Sequence, residues 1–222
     1  MEGLILVDRE QLKQKYGDEK VLVVKYTNLP KLNEGLNNEK EVIQQGLEML
    51  KKSYFIPRWA SDFNPDEVEI IPYPVIRTAN TNKVFCTKRI GGSNEKRLVD
   101  KLSIGIGGHV NPEGDLKGYY LIFASMKREL MEELDFDPQI MLSSHIQFKG
   151  LIRCYKTAVD LDHVGFLYHI IVPDSYEDLI RVRETDVLEG GFVPIESLYE
   201  PENYEKLENW SKIALPTLTL VK

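Results

Sequence analysis

Residues 102–134 constrain the fold more than any other stretch of the chain. An apolar run, LSIGI, enters a glycine pair at Gly107–Gly108 and gives way after a loop to a segment, Gly114–Leu134, with helical spacing. A strand that ends in glycines can adopt backbone angles closed to other residues and lets its carbonyls approach a neighbour closely. The helical segment carries KRELMEELDF, with four carboxylates in ten positions. Residues three and four apart on a helix share a face, so Glu129, Glu132 and Glu133 project together. Each exposed like-charge pair costs roughly 0.2–0.5 kcal/mol. Arg128 can pair with Glu132 at the i+4 position, while Leu130 and Leu134 point the other way and are expected to anchor the helix on a sheet. By itself this is a solvated acidic face. A hard divalent cation such as Mg²⁺ or Mn²⁺, which prefers carboxylate oxygens together with waters and phosphates, would reverse the sign of the repulsion.

The flanking sequence supplies the sheet. GLILV and KVLVVKY read as short strands around a helical turn at Arg9–Lys15. In NNEKEVIQQGLEMLKKSYF, Val42, Ile43, Leu47 and Leu50 have helical spacing, with Asn38 as the expected cap and Glu41 three residues on. YFIPRWASDFNPDE is a proline-punctuated loop. EVEIIPYPVIRTAN and KVFCTKRI read as two strands joined by a turn at Asn80–Asn82. HIQFKGLIRCYKTAV and VGFLYHIIVP read as antiparallel strands joined around DLDH. GGFVPIESL is a short strand, and PENYEKLENWSKIALPTL a closing helix with Pro201 at its start, where the missing N–H costs nothing. The expected architecture is α+β, a mixed sheet flanked by helices. Residues 1–65 form an N-terminal extension or accessory lobe, and residues 66–222 a main domain that includes the closing helix.

Composition narrows the function. The net charge of −7 over 222 residues argues against general nucleic-acid binding, which needs basic surface. A small anionic substrate remains compatible, because a divalent cation can supply positive charge locally. No stretch approaches the ~20 apolar residues of a membrane span, and MEGLILVDREQ has no basic leader or cleavage-like site, so the cytoplasm is the expected compartment. Cys86 and Cys154 lie in strand-like runs and are expected to be reduced, buried thiols.

The glycine pair and the acidic helix together resemble the Nudix hydrolase box, covering about thirty residues. Its first half is Gly107-Gly108-His109-Val110-Asn111-Pro112-Glu113, and its second is Arg128-Glu129-Leu130-Met131-Glu132-Glu133-Leu134-Asp135-Phe136. The variant SIGIGGHVNP is similar to an uncharacterised branch of predicted phosphoesterases in that superfamily. The resemblance implies an α/β/α sandwich and a metal-dependent hydrolase that cleaves a phosphoanhydride in a nucleoside diphosphate linked to another group. It implies Mg²⁺ or Mn²⁺ held by Glu129, Glu132, Glu133 and a carbonyl of Gly107 or Gly108. Glu129 would be a further ligand or the base that deprotonates water, Glu133 would belong to the catalytic set, and Arg128 would hold the helix in place. The partner it implies is a small nucleotide or diphosphate compound, with no nucleic acid and no membrane, and family members are often homodimers.

Two departures from the family pattern stand out. Asp135 replaces a glycine, and aspartate tolerates a left-handed backbone better than most residues. The glutamate expected eight residues before Arg128 is Tyr120; Glu113 is the displaced counterpart, with fourteen residues before Arg128 where seven are usual. Seven extra residues make about two helical turns, so either an extended helix in phase or a longer loop would absorb them. Two rivals follow: a catalytically weak Nudix-like domain that binds a nucleotide or a protein, and a diphosphate-ester isomerase.

Family members often draw another acid from a loop beyond the sheet, where this chain offers Glu184, Asp186 and Glu189; Glu189, beside Gly190–Gly191, is the favoured metal ligand, against a solvated acidic loop. His109 either faces substrate phosphate or packs. His163 is expected in a turn, and His145 and His169 to be structural. Lys88, Arg89, Lys96, Arg97 and Lys101 either clamp phosphates or form a plain soluble loop. Arg58, Trp59 and Tyr73 would stack a base or belong to the core.

Overall fold

The computed structural model describes residues 8–90, 100–183, 185–186 and 188–218. The expected strand at residues 3–7 and the candidates Lys96, Arg97 and Glu184 lie outside the described residues. In chain order the elements are α1 (Arg9–Tyr16), β1 (Lys20–Lys25), β2 (Gly35–Asn37), α2 (Lys40–Leu50), β3 (Tyr54–Pro57), α3 (Arg58–Ser61), β4 (Glu67–Thr78), β5 (Lys83–Arg89) and β6 (Leu102–Ser103). They continue as α4 (Gly118–Glu133), α5 (Pro138–Ser143), β7 (His145–Arg153), α6 (Ala158–Leu161), β8 (His163–Val172), β9 (Leu188–Pro194), α7 (Pro201–Tyr204) and α8 (Asn209–Ala214).

Among the described residues, nine strands form one mixed sheet with a main path β2-β7-β8-β4-β1-β3, and β5 links β4 to β6 and β9. The strands before residue 66 hydrogen-bond into this same sheet. β4 is its axis. On one edge β4 runs parallel to β8 from Glu69↔His163 to Thr78↔Val172. Along the other edge it meets β1 at Val23↔Glu69, the glycine segment through a bridge at Val75↔Gly105, and β5 at Arg77↔Val84. Pro74 presents its carbonyl to Ile106 N at 3.0 Å on that edge. Residues two apart face the same side, so the N–H groups that Pro72 and Pro74 lack are missing there. A continuous ladder is therefore barred, and the glycine segment crosses the sheet held by isolated bonds.

Alternation along β4 and β8 divides the core into two layers. Val68, Ile70, Val164, Phe166 and Tyr168 pack against Leu121, Ile122, Met126 and Leu130 of α4 and Met49 and Leu50 of α2. Tyr73, Val75, Ile152 and Leu167 pack on the opposite face against Leu198, Leu207, Ala214 and Leu215. Helices thus cover both faces, the expected α/β/α arrangement. Leu130 and Leu134 are fully buried, as their spacing predicts.

Three local expectations are corrected: the stretch read as a proline-punctuated loop holds β3 and α3, and the cap of α2 and the continuity of the closing helix also differ. The N-cap of α2 is Glu39, not Asn38, and it makes no side-chain cap bond. α4 starts at Gly118, a left-handed glycine at φ +56°, so the extra residues of the box divide between a loop and added helix. The closing helix is broken into α7 and α8, because Leu207 bridges to Leu102 and Glu208 N donates to the Leu102 carbonyl at 2.9 Å. Asp135 is not in the left-handed region, where the described non-glycine residues are Phe63, Asn82 and Asp100; a bridge between Leu134 and Val182 holds the exit of the helix extended. Both cysteines are free and buried. Among the described residues no helix is long and apolar enough to cross a membrane.

Candidate active site

Arg128 organises the carboxylate helix. It is the eleventh residue of α4, and its guanidinium is spent on five neighbours. Nε donates to Glu113 Oε1 at 3.2 Å, and Nη2 donates to the His109 carbonyl at 2.8 Å and to Asn111 Oδ1 at 2.9 Å. Nη1 lies 2.7 Å from Glu129 Oε1 and 2.9 Å from Glu132 Oε2. The expected i+4 pair with Glu132 is present. Glu113, displaced in sequence, still reaches the arginine and also accepts from Ser125 Oγ at 3.1 Å. Tyr120, at the position where the pattern expects that glutamate, is 75% exposed and faces solvent.

The glycine segment alternates like a strand. Ile106 and Val110 enter the core layer beneath α4, and Gly108 faces the same way. An added Cβ at Gly108 would overlap the Glu129 carboxyl carbon, so any larger residue here would displace the end of that side chain. An added Cβ at Gly105 would overlap the Tyr73 ring. Burial raises the Glu129 carboxyl above its ordinary range; Arg128 pulls it back, and the charge of Glu132 adds to the rise.

His109, next in the alternation, turns to the opposite side and joins a cluster that spacing along the chain does not reveal. The parallel register sets Glu69 of β4 directly across from His163 of β8. Glu69 Oε2 lies 2.9 Å from His109 Nε2 and 3.3 Å from His163 Nε2. Glu69 is 1% exposed. Burial opposes its charge, but the two histidines beside it outweigh that and hold the carboxyl below its usual range. His163, expected in a turn, instead begins β8 as part of this cluster. Asp62 and Asp162 lie close by, both raised first by burial, with the charge of Glu69 adding to the rise.

A cavity of about 920 Å³ opens over these groups. Gly105, Gly107, Gly108 and His109 form its floor, and Glu133 enters from the end of α4. Lys15, Arg58, Arg89, Lys101 and Lys212 bring cations to its wall, and Tyr73 and Trp210 pack edge to face at 5.4 Å as an aromatic side. Of the sequence candidates, Gly107, Gly108, His109, Arg89 and Glu133 therefore meet in one cavity. Glu113, Arg128, Glu129 and Glu132 form a linked cluster behind Gly108. Glu189 sits apart from the cavity lining, 3.3 Å from Lys88 Nζ on the neighbouring strand, and Lys88 also pairs with Asp100. Asp186 is exposed. Trp59 lies under Lys13 Nζ, which is 5.7 Å from its ring. His169 is buried against Thr217, and His145 is exposed.

A three-layer α/β/α domain with a glycine segment pressed against a braced carboxylate helix defines the Nudix class. No family model matches the chain. The curated Protein YmaB of Bacillus subtilis (strain 168) is 27% identical over 187 residues, covering 83% of this chain and 88% of its own. The crystal structure of Tm1382, a protein proposed to be a Nudix hydrolase, superposes with a TM-score of 0.70 at 26% identity, covering 90% of this chain and 98% of that one. The box, the fold and this superposition make the chain similar to Nudix hydrolases.

Proposed function

We propose that the chain is a Nudix-type hydrolase that cleaves a phosphoanhydride bond in a nucleoside diphosphate linked to another moiety, with Mg²⁺ or Mn²⁺ as its cofactor. The observation that carries this reading is Arg128 gathering Glu113, Glu129 and Glu132 behind Gly108 while Glu133 enters a cation-walled cavity. The donor chemistry fits a hard divalent ion: carboxylate oxygens and glycine carbonyls, with Glu129 largely desolvated. Glu129, Glu132, Glu133 and Gly107 would hold it, with Glu189 a further candidate if its pair with Lys88 opens. When bound, the ion neutralises the diphosphate and activates the attacking water.

The side chains do the rest. Arg58, Arg89 and Lys101 take phosphate oxygens along the cavity wall, and Tyr73 with Trp210 offers an apolar surface to a ring. Glu129, its proton affinity raised by burial, is suited to receive the proton of the water. The Glu113–Arg128 contact also supplies the brace whose absence would favour the catalytically weak alternative. The net charge of −7 supports a small-molecule substrate over a nucleic acid.

The test is turnover with Mg²⁺ or Mn²⁺ on a panel of nucleoside diphosphate conjugates and dinucleotides, with product analysis, for the native chain and Glu133→Gln. The expected result is cleavage at a phosphoanhydride, reduced about 100-fold or more in the variant, a loss of ~3 kcal/mol in transition-state stabilisation. Equal turnover by both proteins removes the role of Glu133, and ligand binding with no cleavage by the native chain favours the binding domain.

A further inference from the structure

We propose that Glu69, His109 and His163 bind one transition-metal ion of the Zn²⁺ class, at a site separate from the box carboxylates and open to the cavity. Three observations converge on it. The first is geometric. Glu69 Oε2, His109 Nε2 and His163 Nε2 lie within 4.8 Å of one another. The two pairs that share the carboxylate are 2.9 and 3.3 Å apart. Tetrahedral zinc with ligand bonds near 2.0–2.1 Å separates its ligand atoms by about 3.3 Å, close to the spacing of both carboxylate pairs.

The second concerns the proton on His163. Its Nδ1 lies 2.6 Å from the Val159 carbonyl, which only accepts, so Nδ1 carries the hydrogen. In the neutral ring Nε2 is then a bare lone pair, and it faces a carboxylate oxygen at 3.3 Å. Opposed acceptors of this kind need a positive charge between them, either a proton on Nε2 or a metal ion in the place of that proton. An Nδ1–H bond to a backbone carbonyl is also the arrangement that holds a metal-binding imidazole in its ligand tautomer. Third, neither oxygen of the 1%-exposed Glu69 side chain accepts a well-formed hydrogen bond. A buried carboxylate without such bonds is costly, and a metal bond would satisfy it.

The ligand set fits as well as the geometry. Two imidazoles and one carboxylate suit zinc and its first-row neighbours, whereas Mg²⁺ prefers oxygen alone. Three protein ligands leave at least one coordination position free, as in catalytic sites. His109 and His163 both line the cavity, so that position faces it and takes a water or an anionic oxygen of a bound ligand. The His109 carbonyl accepts from Arg128, which fixes this histidine to the box cluster. The site rests on strand register and ring orientation, and it stands whether or not the box binds Mg²⁺.

The experiment titrates chelator-treated full-length protein with Zn²⁺ by calorimetry and with Co²⁺ by visible absorption. The native chain is expected to bind one equivalent of Zn²⁺ with micromolar or tighter affinity and to develop Co²⁺ ligand-field bands. Glu133→Gln should retain both signals. Glu69→Gln and His163→Gln should weaken Zn²⁺ by more than about 100-fold, beyond the range seen for lost outer-shell partners, with circular dichroism reporting their folding. Should those two fail to fold, His109→Asn, on the glycine segment, gives the deciding loss. Absence of Zn²⁺ binding by the native chain, undiminished binding by a folded ligand variant, or abolition by Glu133→Gln would overturn the proposal.

Discussion

Gly108 leaves no room for a methyl group unless the Glu129 carboxyl shifts, and this contact adds to the Arg128 bonds to His109 and Asn111 that tie the glycine segment to the acidic helix. Overpacking of this kind costs about 1–3 kcal/mol. For Gly108→Ala we expect a lowered melting temperature and a drop in turnover of at least about tenfold, because the Glu129 carboxyl must move; steady-state kinetics beside thermal melts check this. Unchanged turnover would show that the position of Glu129 is immaterial. At this scale the sequence was legible where the chemistry is local. The Arg128–Glu132 pair follows from i+4 spacing, and the glycine pair announced a close backbone approach. Glu69 and Trp210 carried no comparable signal, since their roles arise from neighbours distant along the chain.

The box helix shows what spacing along one element can and cannot specify. Helical period put Leu130 and Leu134 in the core and the three glutamates on other sides. It did not decide whether Glu113 would meet Arg128, because a loop of undetermined path lies between them. That loop turns at Gly114 and Gly118, both left-handed, and returns Glu113 to within 3.2 Å of the guanidinium. Glu113→Ala should therefore lower kcat about tenfold or more, while costing no more than about 1 kcal/mol of stability for a partly exposed pair. Tyr120→Ala, at the position where the family pattern would place the brace, should leave kcat unchanged. Kinetics on both variants decide between the two positions. The closing helix was misread for a related reason: its apolar spacing is helical, but Leu207 is captured by the edge of the sheet at Leu102.

Across the whole molecule, the mixed sheet and two helical layers were legible from alternating and helical runs. The parallel pairing of β4 with β8 was not, since register between distant strands is written in no local pattern. That register creates the Glu69–His163 contact, and it buries His169 farther along β8. His169 is 2% exposed; burial, then the charges of Lys149 and Arg77, push its pKa down to about 4. An unfolded chain protonates this histidine near its ordinary value of 6.5, while the folded chain resists until about 4. The neutral folded form is therefore favoured above 6.5, and that stability is lost as pH falls from 6.5 toward 4. The full loss is about 3 kcal/mol at 1.36 kcal/mol per unit. Denaturant unfolding at pH 7 and pH 4.5 should show a smaller acid-side loss for His169→Gln than for the native chain.

We propose that the crowded box carboxylates serve to bind a cation. Mn²⁺ titration followed by electron paramagnetic resonance tests it most directly, comparing the native chain with a Glu132→Gln/Glu133→Gln double variant. Mn²⁺ uptake by the native chain and its loss in a folded double variant are the expected results. Equal Mn²⁺ uptake by both proteins, or none by either, would contradict the proposal.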